Sequence, residues 1–192
     1  MAFSVSGFKS NLSAQSGGAR PALYEVDINH FTGDSSFSTN QNILVKAASI
    51  PPATIAPLAV NYAGRAYKWN GFRTYDNWTV TVINDEDFGI RIALEQWMDL
   101  IADHRLNIRR ELNKNEGENA NYKQRIKLTQ WTKSGEEAWH YHFIGAFPTA
   151  LSAIALDWGT ASEIEEYTCT WSFDRWMPGT TGHLLVSDSH NN

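Results

Sequence analysis

The stretch Ala63–His104 reads AGRAYKWNGFRTYDNWTVTVINDEDFGIRIALEQWMDLIADH. Its first half has the pattern of strands. Trp78, Val80 and Val82 fall on one side and Thr79, Thr81 and Ile83 on the other, the period-two alternation of a half-buried strand. Asn70-Gly71 is a turn signal, with flanks too irregular to fix the turn type. Asn84, Asp85, Glu86 and Asp87 then end the strand and open a helix, because carboxylates face the positive end of a helix dipole and can cap its free N–H groups. Ile90, Leu94, Trp97, Met98 and Ile101 build one apolar stripe. His104 and Arg105 close the helix, which is expected over about residues 86–104.

Working outward, the alternation recurs. Leu23–Ile28 and Ile43–Ser49 read as strands, with a turn-rich hairpin region over residues 30–42 between them. Ile50–Asn61 contains Pro51, Pro52 and Pro57, which exclude a helix interior and a central strand. This segment is an extended arm or an edge. Its apolar residues Ile50, Ile55, Leu58 and Val60 need cover from this chain or a neighbour. After the helix, residues 113–119 form a very polar loop. Tyr122–Thr132 is a strand with Ile126 and Leu128 on one face and Lys123, Arg125 and Lys127 on the other. Lys133–Glu136 is a hairpin turn, and Ala138–Ala146 is the return strand. Glu163–Met177 reads as one long final strand, with Tyr167, Cys169, Trp171 and Phe173 on one face.

Six or seven strands and one helix point to a mainly β chain with one flanking α-helix, packed as a two-sheet sandwich or small barrel. Residues 1–20 form an N-terminal arm, either docked or mobile, with Phe3 and Phe8 as anchors. Residues 21–177 form the β domain, and residues 178–192 a polar C-terminal tail.

Composition narrows the function. The 192 residues are 42% hydrophobic and 19% charged, ordinary values for a globular protein. Eight Trp, seven Tyr and nine Phe suit a β-rich core or a large contact surface. The net charge is −5, and basic residues cluster only over Arg105–Arg110, which argues against a duplex-DNA binder. One cysteine, Cys169, precludes an internal disulfide and, among apolar neighbours, reads as a core residue. No apolar run approaches the roughly 18 residues of a membrane span, and no signal peptide is expected.

Catalytic and metal chemistry finds little support. His140 and His142 share a strand face and could begin a metal site, but a third ligand at useful spacing is missing, so they read as exposed or interface histidines. Glu163 and Glu165 share a strand face and read, with Glu166, as a solvated charged surface. G-x-S-x-G, H-E-x-x-H, P-loop and G-x-G-x-x-G motifs are absent. Trp69, Trp78, Trp131, Trp139 and Trp171 lie in alternating strands and read as core. No catalytic residue, cofactor or metal is expected. Arg73 and Asp76 either pair locally or form an ion pair between subunits.

Arg65, Gly71 and the run Arg73–Asp85 (RTYDNWTVTVIND) resemble the tail tube proteins of contractile-tailed, myovirus-type bacteriophages. The family usually carries a second Asp where Asn77 stands. A second match runs through Gly145–Thr149, Leu156-Asp157-Trp158, Glu163-Ile164 and Asp174-Arg175-Trp176, in the family's order. Together these cover roughly Ala19–Trp176. The resemblance implies a barrel-like pair of sheets flanked by a helix. It implies stacked hexameric rings forming the conduit for DNA into the host cell. The partners it implies are further copies of the chain and the tail sheath, baseplate tube-initiator, tape-measure and tail-terminator proteins. The implied location is the virion, after assembly in the host cytoplasm.

In the family the segment around residues 50–61 belongs to a loop that contacts the next subunit. Expected subunit contacts are therefore Ile50, Pro51, Pro52, Ile55, Leu58, Val60, Arg73 and Asp76. An acidic lumen would let DNA slide without sticking, with Lys123, Arg125 and Lys127 turned away from it. The alternatives are a baseplate tube-initiator, the inner tube of a phage-derived injection system and, suggested by the tryptophans, a carbohydrate-binding β-sandwich.

Overall fold

The alternation between Trp78 and Ile83 is a strand whose inward residues, Trp78, Val80 and Val82, are all buried. The computed structural model describes residues 4–14, 17–28, 44–106, 108, 122–159 and 162–179. The hairpin expected over residues 30–42, the polar loop over 113–119 and the tail beyond residue 179 lie outside the described residues. In chain order the elements are α1 (Val5–Ala14), β1 (Tyr24–Ile28), β2 (Val45–Ala47), β3 (Thr54–Tyr62), β4 (Arg65–Thr74), β5 (Trp78–Ile83), α2 (Gly89–Ile101), β6 (Gln124–Trp131), β7 (Glu137–Leu151), β8 (Glu166–Ser172) and β9 (Arg175–Gly179).

Seven strands make one antiparallel sheet in the order β1-β6-β7-β8-β5-β2, with β9 also paired to β7. Strand β7 serves both halves. Its first part pairs with β6 and β9, and its last residues, from Phe147, pair with β8. Gly145 sits where β7 changes partners, at φ 68°, and the Asp174 carboxylate fills the space a Cβ would take. Tyr24 Oη donates to the Val45 carbonyl at 3.0 Å. That bond ties β1 to β2, the two ends of the strand order, so the sheet nearly closes into a barrel.

The core fills that barrel. Trp78 stacks on Phe143 with ring centroids 4.3 Å apart, and Val26, Ile126, Cys169 and Trp171 are fully buried. Helix α2 buries Ile90, Ala93, Leu94 and Trp97. Trp97 meets Trp171 edge-on at 5.4 Å and donates its indole N–H to the Tyr122 carbonyl at 2.8 Å, which satisfies its one polar atom.

The structure corrects several expectations. There are two described helices, not one. Residues 5–14 coil because the Ser4 hydroxyl accepts the Gly7 N–H at 3.3 Å at the start, and Gly17, at φ 81°, donates its N–H to the Leu12 carbonyl at the end.

Helix α2 spans Gly89–Ile101 rather than 86–104. Phe88 precedes it in the left-handed region, and Asp85 accepts the Gly89 N–H at 3.3 Å from outside the helix. At its other end Asp99 and Asp103 accept the N–H groups of His104, Arg105 and Leu106, which turns the chain away.

The hairpin turn after β3 is Ala63-Gly64, both at positive φ as a two-residue turn requires. Asn70-Gly71 lies inside β4 instead. There a bulge presses the Ala56 carbonyl against Gly71, leaving no room for a side chain.

The long final strand is two strands. The chain breaks at Phe173-Asp174, where Asp174 donates its N–H to the Ile144 carbonyl and accepts Lys123 Nζ at 2.8 Å on both carboxylate oxygens. Pro178 and Gly179 belong to β9 rather than to a tail. Glu163 and Glu165 precede β8 and share no strand face. Of the five strand tryptophans read as core, Trp78 and Trp171 are buried, Trp131 is half-buried, and Trp69 and Trp139 are exposed.

Candidate assembly surface

Strands β3 and β4 pair only with each other among the described residues. Every residue of β3 is exposed, and β4 is exposed except at Gly71. The register sets Leu58 opposite Trp69 and Val60 opposite Tyr67, with Tyr62 next along. Cross-strand partners share a face, so Leu58, Val60, Tyr62, Tyr67 and Trp69 form one apolar face. Trp69 is 64% and Leu58 62% exposed. Pro57, Ala59, Asn61, Ala66, Lys68 and Asn70 line the other. Phe72, at the bulge, is 91% exposed.

The ribbon's root is held firmly. Trp78 donates its indole N–H to the Ser49 carbonyl at 2.7 Å, and Trp176 donates to the Pro52 carbonyl at 3.1 Å. Tyr75 packs on Phe173 and Trp176. A lone two-stranded ribbon is marginal in water, and two free edges invite further pairing. An apolar ribbon anchored this way, exposed among the described residues, is built to meet another molecule.

The expected contact residues divide accordingly. Leu58 and Val60 lie on the apolar face, and Ile55 falls by alternation on the other. Ile50 and Pro52 are exposed near the root, while Pro51 is buried against its own chain. Arg73 ends the ribbon and Asp76 follows it; both are exposed, and no ion pair among the described residues joins them. Sequence reasoning missed Tyr62, Tyr67, Trp69 and Phe72. The alternation Arg65-Ala66-Tyr67-Lys68-Trp69 carried that signal, but it was assigned to the core.

Other exposed apolar groups stand elsewhere. Val5, Phe8 and Leu12 form a stripe along α1, and Phe88, Leu156, Trp158 and Ile164 are exposed near the start of β8 and α2.

The polar clusters are internally satisfied or inert. Lys127 pairs with Glu137 at 3.2 Å, and Glu137 also meets His140. Burial opposes ionisation of Glu137, but the hydrogen bonds from Lys127 and His140 outweigh it and hold its carboxyl below the usual range. His142 lies edge-on to His140 at 4.9 Å. Burial first, then the positive charge of His140, Arg125 and Lys127, makes His142 harder to protonate, with only Glu137 opposing. Among the described residues no group of three or more His, Cys, Asp or Glu is arranged to hold a metal ion. Burial pushes the Cys169 thiol up to about 12, so it is not a nucleophile at neutral pH.

The model of a family described as phage tail tube protein matches residues 8–178. The chain belongs to the phage tail tube proteins. It is 28% identical over 159 residues to the tail tube protein gp19 of Enterobacteria phage T4, a match covering 82% of this chain and 90% of that protein.

Two solved structures share the tail tube fold. The cryo-EM structure of the anti-feeding prophage tube terminating cap superposes at TM-score 0.61 and 19% identity, covering 85% of this chain and 91% of that one. The sheath-tube complex of the extracellular contractile injection system PVC, in its extended state, contains a chain similar at TM-score 0.55 and 16% identity, covering 93% and 99%. The tail tube resemblance in residues 65–85 and 145–176 thus holds, and so does the barrel-like fold. The protein is a structural subunit of a tail tube, and its tryptophans need no sugar ligand to explain them.

Proposed function

We propose that six copies of this chain close into a ring and that rings stack into the inner tube of a contractile tail, through which DNA passes. The supporting observation is the β3–β4 ribbon, whose apolar face is exposed among the described residues. A tube subunit has a use for such a ribbon, because head-to-tail contacts close within a ring and stay open along an axis. Ile50, Pro52, Ile55, Leu58, Val60, Arg73 and Asp76 are the contact residues of this reading, with Pro51 as a buried hinge at the root.

The protein acts by assembly rather than catalysis. Sheath, tube-initiator, tape-measure and terminator proteins are the partners it implies, and its place is the virion tail after assembly in the host cytoplasm. Residues 1–20 and the segment after residue 179 serve as extensions of the β domain. DNA slides past an acidic wall. The basic face of β6 is turned from that wall, which fits with Lys123 and Lys127 already being engaged by Asp174 and Glu137.

Negative-stain electron microscopy across a concentration series tests the proposal. The native chain is expected to form uniform hollow tubes with six-fold end views. The double variant Leu58→Asp/Trp69→Asp is expected to keep its native circular dichroism and form no tubes. Tubes of normal length from that variant would remove the ribbon from assembly.

A further inference from the structure

The ribbon lies at one end of the barrel, and a second, chemically matched surface lies at the other. Strand β5 measures the distance between them. Trp78 stands beside the ribbon's root and pairs with Trp171, while Ile83, at the far end, pairs with Glu166. Six residues of strand separate the two ends by roughly 20 Å. At the far end the segment after β5 and the segment before β8 meet, joined by Asn84 Nδ2 donating to Glu165 at 2.8 Å and by the Asn84 N–H donating to the Glu165 carbonyl at 2.9 Å.

This far rim is apolar and acidic together. Trp158 is wholly exposed, and Leu156, Ile164 and Phe88 are exposed as well. Two cavities open between these segments. One of about 610 Å³ is lined by Ile154, Ala155 and residues 162–166, and one of about 370 Å³ by Asn84, Glu86, Phe88 and Glu163 with their neighbours. Glu86, Asp87 and Glu163 are exposed, and none forms an ion pair among the described residues. The ribbon has the opposite sign. Over Thr54–Thr74 its charged residues are Arg65, Lys68 and Arg73, with no carboxylate. These three cations are exposed and likewise form no ion pair among the described residues.

We propose that the rim formed by residues 84–88, 154–159 and 162–166 is the acceptor for the β3–β4 ribbon of a second copy of this chain. Apolar residues meet apolar residues, with Arg65 on their face of the ribbon, and Lys68 and Arg73 on its other face add to the positive charge brought toward Glu86, Asp87 and Glu163. An open head-to-tail stack requires two different surfaces on one subunit, and these two are opposite in charge, alike in apolar exposure and set at opposite ends of β5. The pairing also sets polarity, because a reversed subunit would bring rim against rim and carboxylate against carboxylate. The inference rests on the ring-stacking reading above and adds the identity of the receiving surface.

Charge reversal tests it. The ribbon variant Arg65→Glu/Lys68→Glu/Arg73→Glu and the rim variant Glu86→Lys/Asp87→Lys/Glu163→Lys each place like charges at the joint. Each is expected to shorten tubes about tenfold or more by electron microscopy. All six changes in one chain reverse both surfaces and are expected to restore tube length. Every site is exposed, so native circular dichroism and melting temperature are expected throughout. If the ribbon variant shortens tubes while the rim variant grows normally, the acceptor lies elsewhere and the ribbon reading survives. If the six-fold variant stays short, the two surfaces do not meet. As a neutral check, Trp158→Ala is expected to shorten tubes, and unchanged length would overturn the apolar half of the contact.

Discussion

His142 is a ring placed where its charge is unwelcome. Its Nδ1 is buried without a hydrogen-bond partner among the described residues, and His140, Arg125 and Lys127 add positive charge that Glu137 only partly offsets. Its folded-state proton affinity is therefore below the ordinary value of about 6.5, which the unfolded chain retains. The sign follows from linkage. Above about pH 6.5 neither state binds this proton and the full stability is present; as pH falls through that value the unfolded chain takes up the proton first and stability is lost. Thermal melting of the unassembled protein at about pH 7.5 and about pH 5.5 is expected to show a drop that shrinks in His142→Phe, which fills the space without titrating. An equal drop in both would assign the acid sensitivity to groups other than His142.

Elements divide into those that stabilise the subunit and those that await a neighbour. Leu94 of α2 is 1% exposed, and Leu94→Ala removes buried methyl groups and leaves a cavity. A loss of about 2–5 kcal/mol is expected in urea unfolding of the unassembled chain. Trp69→Ala is expected to change the same measurement by less than about 0.5 kcal/mol despite deleting a larger side chain, because Trp69 is largely exposed. A comparable cost at both sites would mean that the ribbon folds back on its own subunit in solution.

The same division explains what could be read from the residues alone. Trp78, Val80 and Val82, and Tyr167, Cys169 and Trp171, alternate against threonines and showed their buried faces directly. Leu58, Val60 and Tyr62 alternate just as clearly, yet period two cannot tell cover by the same chain from cover by the next. The break at Phe173-Asp174 and the bulge at Gly71 depended on contacts distant in sequence, at Gly145 and Ala56, that no local pattern carries.

At the scale of the molecule, the net charge is −5, and the ribbon and the rim carry opposite signs. Three exposed cations stand on the ribbon at one end and three exposed carboxylates on the rim at the other, none in an ion pair among the described residues. Such a subunit is oriented by the field of the growing end before any apolar contact forms. The two components of the joint respond differently to salt. Screening shortens the reach of exposed charges from about 10 Å at 0.1 M to about 3 Å at 1 M, whereas apolar burial is not weakened by it. Added sodium chloride is therefore expected to slow elongation from preformed tube seeds by about tenfold or more across that range, as followed by light scattering, without dissolving tubes already made. The rim variant, which has lost the attraction, is expected to grow slowly at low salt and to speed up as salt rises. If both proteins elongate at one salt-independent rate, charge has no part in the joint, and the polarity of stacking must come from the shape of the ribbon and its acceptor alone.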